Sequence, residues 1–322
     1  MYQKKQEMGR IVGRIEALRR FPTLDSEIWS KADLSFPVRV TRSWINRVQS
    51  ISGALGLQAF PGPGELEEWP GDSPDPVGEK GRMPMEWVIQ KHEDRALLLV
   101  TLRCHLYCRY CFRRVHDGAR DPTPEALEAA IQHLNQRNLQ EVILSGGDPL
   151  ALSNRQLFSV LDRLEAPVMR IHTRAPVTAP YRVDKDLIAG LAERIRLGRS
   201  LWVILHINHA RELSSDVLDV IKGLRSAGIP LLNQSVLLKG VNDNVESLET
   251  LCRNLVRIGV FPYYLHHTDA AAGNGAFRVE LQEGLRLYRQ LEGRVSGIAL
   301  PRYVIDPPDG SGKVDVSRYL GV

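Results

Sequence analysis

The sequence predicts an α/β protein whose main part is a partial (β/α)6 barrel, and three observations predict it. The 322 residues are enough for one large α/β domain with a smaller appendage. From Ala96 onward, short apolar runs alternate with amphipathic helices. These strand–helix units recur about every 30 residues, as in βα repeats. A doubly wound open sheet is the structural alternative.

Six apolar runs are expected as strands, most of them continuously apolar as buried parallel strands are. They are Ala96–Thr101, Glu141–Leu144, Val168–His172, Leu201–Ile207, Ile229–Val236 and Pro262–His266. The helices between them carry start signals. Thr123 followed by Pro124 is typical of a helix N-terminus, and Ser214 begins a second helix that ends at Gly228.

The rest of the chain divides by composition. Residues 1–60 are expected to be helical, with Ile11, Ile15 and Leu18 at helix spacing. Residues 61–90 form a Pro/Gly-rich linker that leads to the barrel at 91–300. Residues 301–322 form a short C-terminal segment.

Composition and charge limit the class of protein. The net charge of +4 is modest, and Arg194, Arg196 and Arg199 are interpreted as a solvated helix face, so nucleic acid is not an expected partner. No apolar run approaches the roughly 20 residues that cross a bilayer, and the N-terminus lacks an apolar signal stretch. The expected location is therefore the cytoplasm, where clustered cysteines indicate metal or catalysis rather than disulfides.

Three of the four cysteines, Cys104, Cys108 and Cys111, follow the first strand with the spacing C-x3-C-x2-C. Three thiolates in one tight loop can each bind one iron of a [4Fe–4S] cluster. The fourth iron is then open to S-adenosylmethionine (SAM), which an electron from the cluster cleaves to a 5′-deoxyadenosyl radical. The fourth cysteine, Cys252, lies within a helix and is interpreted as a small buried hydrophobe.

A structural zinc site is the competing interpretation of the three cysteines. Zinc requires a fourth ligand, for which His92, His105 or His116 is available. On that interpretation the protein is not an enzyme but a zinc or iron–sulfur protein that binds a partner.

Polar residues follow the predicted strands at their carboxyl ends, where α/β proteins form their sites. They include His172-Thr-Arg174, His206-Ile-Asn208-His209 and Asn233-Gln234-Ser235. The glycines of Ser145-Gly146-Gly147-Asp148-Pro149 allow a ligand to approach the backbone and suit contact with the amino group of SAM. A plain turn is the alternative.

Near the C-terminus, Lys313 ends a Gly/Pro-rich loop that begins after Asp306. The loop is not a Walker phosphate loop, because Pro307 and Val314 occupy positions that need Gly and Ser or Thr. A lysine in such a loop can bind pyridoxal phosphate (PLP) as an imine. On composition alone, an ordinary surface lysine is the simpler interpretation.

Together these blocks, with Arg95–Arg114 and Asn233–Asp243, resemble the lysine 2,3-aminomutase family of radical SAM, PLP-dependent isomerases. The resemblance runs from about Trp87 to Lys313 and implies a radical SAM barrel whose C-terminal segment carries the PLP lysine. The segments at Lys91, His206–Ala210 and Pro262–His266 look closest to the bacterial branch that makes (R)-β-lysine for elongation factor P.

The resemblance implies a role for each matching residue. The three cysteines ligate the cluster, Lys313 binds PLP, Arg113 binds the substrate carboxylate, and Asp269 and Asp306 bind the substrate ε-ammonium. The cofactor region is expected to contain Lys91, Gly146, Gly147, Asp148, His206, Asn208 and Gln234. Two departures concern PLP: Lys91 stands where other members have Arg, and His266 where they have Tyr.

The resemblance also implies partners. L-lysine is the expected substrate, with glutamate or another amino acid as the alternative, and stand-alone synthesis of β-lysine as the alternative use. Flavodoxin or ferredoxin is the expected electron donor, and elongation factor P with its ligase is the expected destination of the β-lysine.

Overall fold

The structure is a computed structural model that describes residues 7–115 and 120–322. Its centre is one sheet whose strand order equals the order along the chain. Over the described residues the strands are β1 (Val88–Ile89), β2 (Arg95–Thr101), β3 (Glu141–Gly146), β4 (Val168–Thr173), β5 (Ser200–Leu205), β6 (Leu231–Val236), β7 (Phe261–His266), β8 (Arg302–Ile305) and β9 (Val314–Asp315).

The sheet is a partial barrel. Strands β2 to β8 run parallel, while β1 and β9 pair antiparallel at the two edges. The order never reverses, as it would at the switch point of a doubly wound sheet, so that alternative is wrong. Within the described residues no pairing joins the two edges, and the sheet stays open.

Helices connect the strands and form the N-terminal region. The four N-terminal helices are α1 (Arg14–Arg20), α2 (Ser26–Ser35), α3 (Arg42–Ile45) and α4 (Ala54–Leu57). The remaining helices are α5 (Pro124–Asn135), α6 (Asn154–Arg163), α7 (Ala175–Thr178), α8 (Lys185–Arg196), α9 (Ser215–Ser226), α10 (Val245–Arg257), α11 (Leu281–Glu292) and α12 (Val316–Leu320). The predicted start of α5 is confirmed, because the Thr123 hydroxyl accepts the N–H of Ala126 at 3.2 Å.

The strand predictions need several corrections. The two-residue edge strands β1 and β9 were not predicted, and Glu141–Leu144 was two residues too short. Strand β8 is a seventh parallel strand in the expected C-terminal segment, and its four residues are too few for a recognisable pattern. Leu201–Ile207 was two residues too long, because the N–H of Ile207 leaves the ladder and bonds the Asn233 side chain at 2.9 Å. Ile229–Val236 began two residues early, since the N–H of Ile229 still bonds Leu224 of α9.

The N-terminal helices pack on the barrel. Trp29 and Trp44 belong to the same buried cluster as the barrel leucines. The predicted inward face of α1 is partly wrong: Ile15 is 66% exposed, and Ala17 is the buried residue. A shift of one residue turns a helix face by about 100°, so the spacing of a few apolar residues in so short a helix does not determine which face is buried.

Three further predictions concern Cys252, the arginines near the end of α8, and helices that could cross a membrane. Cys252 lies within α10, and burial raises the pKa of its thiol to about 12, which confirms it as a small buried residue. Arg194 and Arg196 form ion pairs with Asp162 and Glu193. The prediction is wrong for Arg199, which lies beyond the end of α8 and donates to the Leu164 carbonyl at 2.7 Å. Among the described residues, no helix combines the length and the apolar character needed to cross a membrane.

The turn after β3 holds the start of the cysteine loop. The N–H of Gly147 bonds the Thr101 carbonyl at 2.6 Å, and the N–H of Asp148 bonds the Arg103 carbonyl at 2.8 Å. Gly146 has φ of +117°, a conformation that favours glycine. At Gly147 a Cβ would lie 2.3 Å from the Arg103 carbonyl oxygen. The close approach that these glycines permit is therefore made by the chain's own backbone.

We expect Gly147→Ala to lower the free energy of unfolding by at least about 2 kcal/mol, because the methyl group must push the cysteine loop away from β3. Urea denaturation checks this. Gly297→Ala is the control, because a Cβ there meets no atom within 4 Å. Equal stability of the two variants would contradict the prediction.

Candidate active site

A cavity of about 590 Å³ lies inside the partial barrel and extends from the carboxyl ends of the parallel strands to Arg95 and Glu141 at the amino ends of β2 and β3. It brings together all of the predicted site residues but one. Those that line it are Lys91, Cys104, Cys108, Cys111, Arg113, Gly146, Gly147, Asp148, His206, Gln234, Asp269, Asp306 and Lys313. Residues far apart in sequence thus meet in one enclosed space, as expected when strand ends converge.

The cysteine loop begins where β2 ends and closes with a 3-10 turn over Phe112–Val115. The N–H of Cys111 bonds the Cys108 carbonyl at 3.0 Å and tightens the loop. Burial raises the pKa of the Cys104 thiol well above its ordinary value and that of Cys111 to about 11. These two groups are neutral thiols at neutral pH, and bound iron would replace their protons.

The three thiols suit a cluster by number, spacing and placement. Over residues 7–115 and 120–322, no three His, Cys, Asp or Glu side chains form a ready-made metal cage. Of the histidines weighed for zinc, His92 lies against Gly312, and His105 stacks edge-on with Tyr181. His116 lies outside the described residues. The cluster is favoured by the spacing of the three cysteines, which lie within eight residues of one loop.

Arg113, the predicted carboxylate ligand, already holds a carboxylate. Its Nη2 and Nε donate to the two carboxylate oxygens of Glu79 at 2.6 and 3.2 Å. Its Nη1 donates to the Ser145 hydroxyl at 3.1 Å and to the Gly146 carbonyl at 3.4 Å. Glu79 therefore uses the Nε side of the guanidinium and fixes its plane. A second planar anion at the Nη1–Nη2 edge can take the N–H of Nη2 that Glu79 does not use, and it would displace one of the two acceptors of Nη1.

A short hairpin places Lys313 beside Asp306. Ile305 at the end of β8 pairs with Val314 at the start of β9, so the residues next to them face each other. Lys313 Nζ lies 3.7 Å from Asp306 Oδ2. Lys91 Nζ bonds the other oxygen, Oδ1, at 2.8 Å. Asp306 thus lies between two ammonium groups, and the seven-residue spacing follows from the hairpin.

Asp269, which follows β7, is the second predicted ammonium ligand. Burial raises the pKa of its carboxyl group to about 7, and the nearby charge of Asp306 acts in the same direction. The group therefore titrates near neutral pH. An ammonium group brought close to it would favour the ionised form.

Neutral histidines cover another part of the wall. Burial lowers the pKa of His206 to about 3 and those of His172 and His266 well below the ordinary value. Gln234 Nε2 lies 3.3 Å from His172 Nδ1. The Nε2 of His172 is buried and has no hydrogen-bond partner in the part of the chain that the structure describes. An unpaired buried nitrogen on a cavity wall indicates a place for a ligand atom.

Two of the predicted cofactor residues serve the scaffold. Asn208 does not line the cavity; it is fully buried behind Tyr110, and its amide donates to the Tyr110 hydroxyl at 2.7 Å. Asp148 lines the cavity, but its carboxylate accepts the Thr173 hydroxyl at 2.7 Å and the Arg174 N–H at 2.8 Å. It thereby joins the ends of β3 and β4.

Sequence reasoning missed two residues of the site. Glu79 lies in the segment expected to be a linker, where no periodicity marks it. Arg174 was noted as a polar residue after a strand but given no role, and its Nη1 lies 2.7 Å from the sulfur of Cys108. The linker itself packs over the cavity mouth, because Gly78 contacts the loop at Pro308 and Gly310.

Comparisons with known proteins agree with this geometry. The Radical SAM superfamily profile matches residues 98–252, which include the cysteine loop. An L-lysine 2,3-aminomutase of Acetoanaerobium sticklandii is 37% identical over 84% of this chain and 66% of its own length. A protein of Aquifex aeolicus named Putative L-lysine 2,3-aminomutase is 35% identical over 87% of this chain and 77% of its own length. A protein of Treponema pallidum with the same name is 41% identical over 74% of this chain and 68% of its own length. The chain thus spans just under two thirds of the Acetoanaerobium enzyme.

Proposed function

We propose that this chain, which belongs to the lysine 2,3-aminomutase family of the radical SAM superfamily, converts L-lysine to β-lysine. The reaction moves the amino group from C2 to C3. One observation carries the proposal. A single cavity contains the three cysteines, an arginine for a carboxylate, two carboxylates for an ammonium group, and a lysine for PLP. L-lysine has the charged groups that this set complements.

The cavity walls suit a substrate charged at both ends. Arg113 can bind the α-carboxylate through its Nη1–Nη2 edge while Glu79 holds the other edge. Asp269 and Asp306 can bind the ε-ammonium. Lys91 already balances the charge of Asp306. We therefore expect Asp269 to be the carboxyl group that loses its proton when the substrate ammonium group binds. The two ends together select the length of the amino acid, and glutamate lacks the group that the two carboxylates would bind.

Cys104, Cys108 and Cys111 would hold the [4Fe–4S] cluster to which SAM binds in this superfamily. When bound, the cluster and SAM supply a radical that removes a hydrogen atom from the substrate and later returns it. The protein's own contribution is to hold the substrate and exclude water. The Gly146–Asp148 turn contributes by fixing the cysteine loop at the strand edge.

The same cavity has features that suit PLP. Besides Lys313, its wall carries the cationic side chains of Lys91, Arg95 and Arg170. They pair with Asp306, Asp94 and Glu141, and a bound phosphate would share these cations with the carboxylates. Four buried nitrogens of residues that line the cavity have no hydrogen-bond partner among the described residues: His105 Nδ1, Arg170 Nε, His172 Nε2 and Arg174 Nε. Lys313 would bind the cofactor, with Gln234 and His206 beside it. When bound, PLP delocalises the unpaired electron during migration of the nitrogen.

The use of the product is a finer proposal. The His206–Ala210 and Pro262–His266 segments resemble the branch that serves elongation factor P, and His206 and His266 both line the cavity. We propose that the β-lysine formed is the (R) isomer, that a ligase attaches it to elongation factor P, and that flavodoxin or ferredoxin supplies the electron. The cytoplasm is the location that suits these partners.

The reconstituted protein should convert L-lysine to β-lysine anaerobically with SAM and PLP, as measured by mass spectrometry. Because Asp269 titrates near pH 7, the KM for L-lysine should fall as the pH rises from 6 to 8. Asp269→Asn should raise the KM at least about tenfold and flatten this pH dependence. Glu292→Gln, on the surface, is the control. If the Asp306→Asn variant still converts another amino acid such as glutamate, that amino acid rather than L-lysine would be favoured as the substrate.

Lys313→Ala should abolish covalent retention of PLP. Borohydride treatment of the PLP-loaded protein, followed by peptide mapping, should place the label on Lys313 in the original chain and remove it in the variant. Lys239→Ala is the matched control, because Lys239 does not line the cavity. Labelling of any other lysine as the main site would contradict the assignment.

If the product serves elongation factor P, adding elongation factor P and its ligase to the lysine reaction should attach a mass of one lysyl residue to the factor. The synthetic (S) isomer of β-lysine is the control and should be attached poorly. A reaction in which the factor accepts the enzymatic product no better than L-lysine would separate this chain from that branch.

A further inference from the structure

We propose that Arg174 raises the reduction potential of the cluster by donating a charged hydrogen bond to the sulfur of Cys108. The inference rests on the proposed function in one respect, that the three cysteines hold a [4Fe–4S] cluster. Arg174 directly follows β4, and its Nη1 lies 2.7 Å from Cys108 Sγ. Hydrogen bonds to cluster sulfurs stabilise the added electron, and a cationic donor strengthens the effect.

The guanidinium of Arg174 is built into the protein rather than free to move. Its Nη2 donates to Gln58 Oε1 at 2.7 Å and to Glu212 Oε2 at 3.0 Å. The rings of Trp44 and Tyr110 lie 4.9 and 5.5 Å from its central carbon. Only 8% of the side chain is exposed. The contact with the sulfur is therefore imposed by four surrounding side chains.

Glu212 opposes the effect of Arg174. Its carboxylate is fully buried and also accepts the backbone N–H groups of Asn208 and His209, each at 3.1 Å. These neutral donors hold the negative charge beside Arg174, where it cancels part of the positive charge felt at the sulfur. The loss of Arg174 and the loss of the Glu212 charge should therefore change the potential in opposite directions.

The test is a redox titration of the reconstituted protein without SAM, followed by the EPR signal of the reduced cluster. We expect Arg174→Met to disfavour reduction about tenfold, a shift of about 59 mV to lower potential for one electron. Glu212→Gln should shift the potential upward. The double variant, which has the same net charge as the original chain, should lie between Arg174→Met and the original.

Arg109→Met is the matched control. Arg109 lies in the cysteine loop and is fully buried, but it pairs with Glu65 and with backbone carbonyls instead of a sulfur. It should produce a much smaller shift than Arg174→Met. Iron and sulfide analysis shows that each variant carries an intact cluster. If Arg174→Met does not fold, the double variant, which leaves no buried carboxylate unpaired, decides the question.

Equal potentials in the original chain and the Arg174 variants, or shifts of the same sign for Arg174→Met and Glu212→Gln, would overturn the proposal. A purely structural role would not produce opposite signs. Failure of the original chain to take up a cluster would contradict the proposed function instead, so the two failures are distinguishable.

Discussion

The need to pair buried charges governs how this protein assembles its site. The cysteine loop carries three arginines, Arg109, Arg113 and Arg114, and each lies in a largely enclosed position. Two glutamates compensate them: Glu65 contacts Arg109 and Arg114, while Glu79 holds Arg113. Both glutamates come from the Pro/Gly-rich segment that precedes the barrel. An unpaired buried charge costs several kcal/mol, so the loop and this segment depend on each other.

The sequence was informative where physical causes are local. Strands such as β5 and helices such as α5 were predictable because apolar runs and caps act within a few residues. The meeting of Arg113 and Asp269 agrees with parallel strands that end at one edge, whereas Lys313, which precedes the antiparallel β9, was expected in the site only from the family resemblance. The pairing of Glu79 with Arg113 was not, since the two are 34 residues apart and Glu79 lies in a segment without periodicity. Arg174 and Cys108 are 66 residues apart, and only the folded sheet brings them together.

Polar residues at strand ends serve two purposes that sequence alone does not separate. Asp148 and Asn208 have the residue types of a binding site, yet their side chains are consumed by the protein's own groups. Asp148 joins two strands, and Asn208 supports Tyr110 from behind. His172, by contrast, keeps a buried nitrogen without a partner on the cavity wall. The difference lies in which hydrogen bonds are already made, and that requires coordinates.

The internal ion pairs also determine what a substrate can gain on binding. Before any ligand arrives, Arg113 is paired with Glu79, and Asp306 lies between Lys91 and Lys313. Because Glu79 balances the charge of Arg113, a second carboxylate would gain little from net charge. It would gain mainly from hydrogen bonds to the N–H groups of Arg113. At the other end, Asp269 is the acid whose ionisation a substrate ammonium can shift, since its pKa lies near 7. On the proposed function, such a site would recognise its substrate through fixed donor geometry at one end and induced ionisation at the other, and both would require the charges to be held in place beforehand.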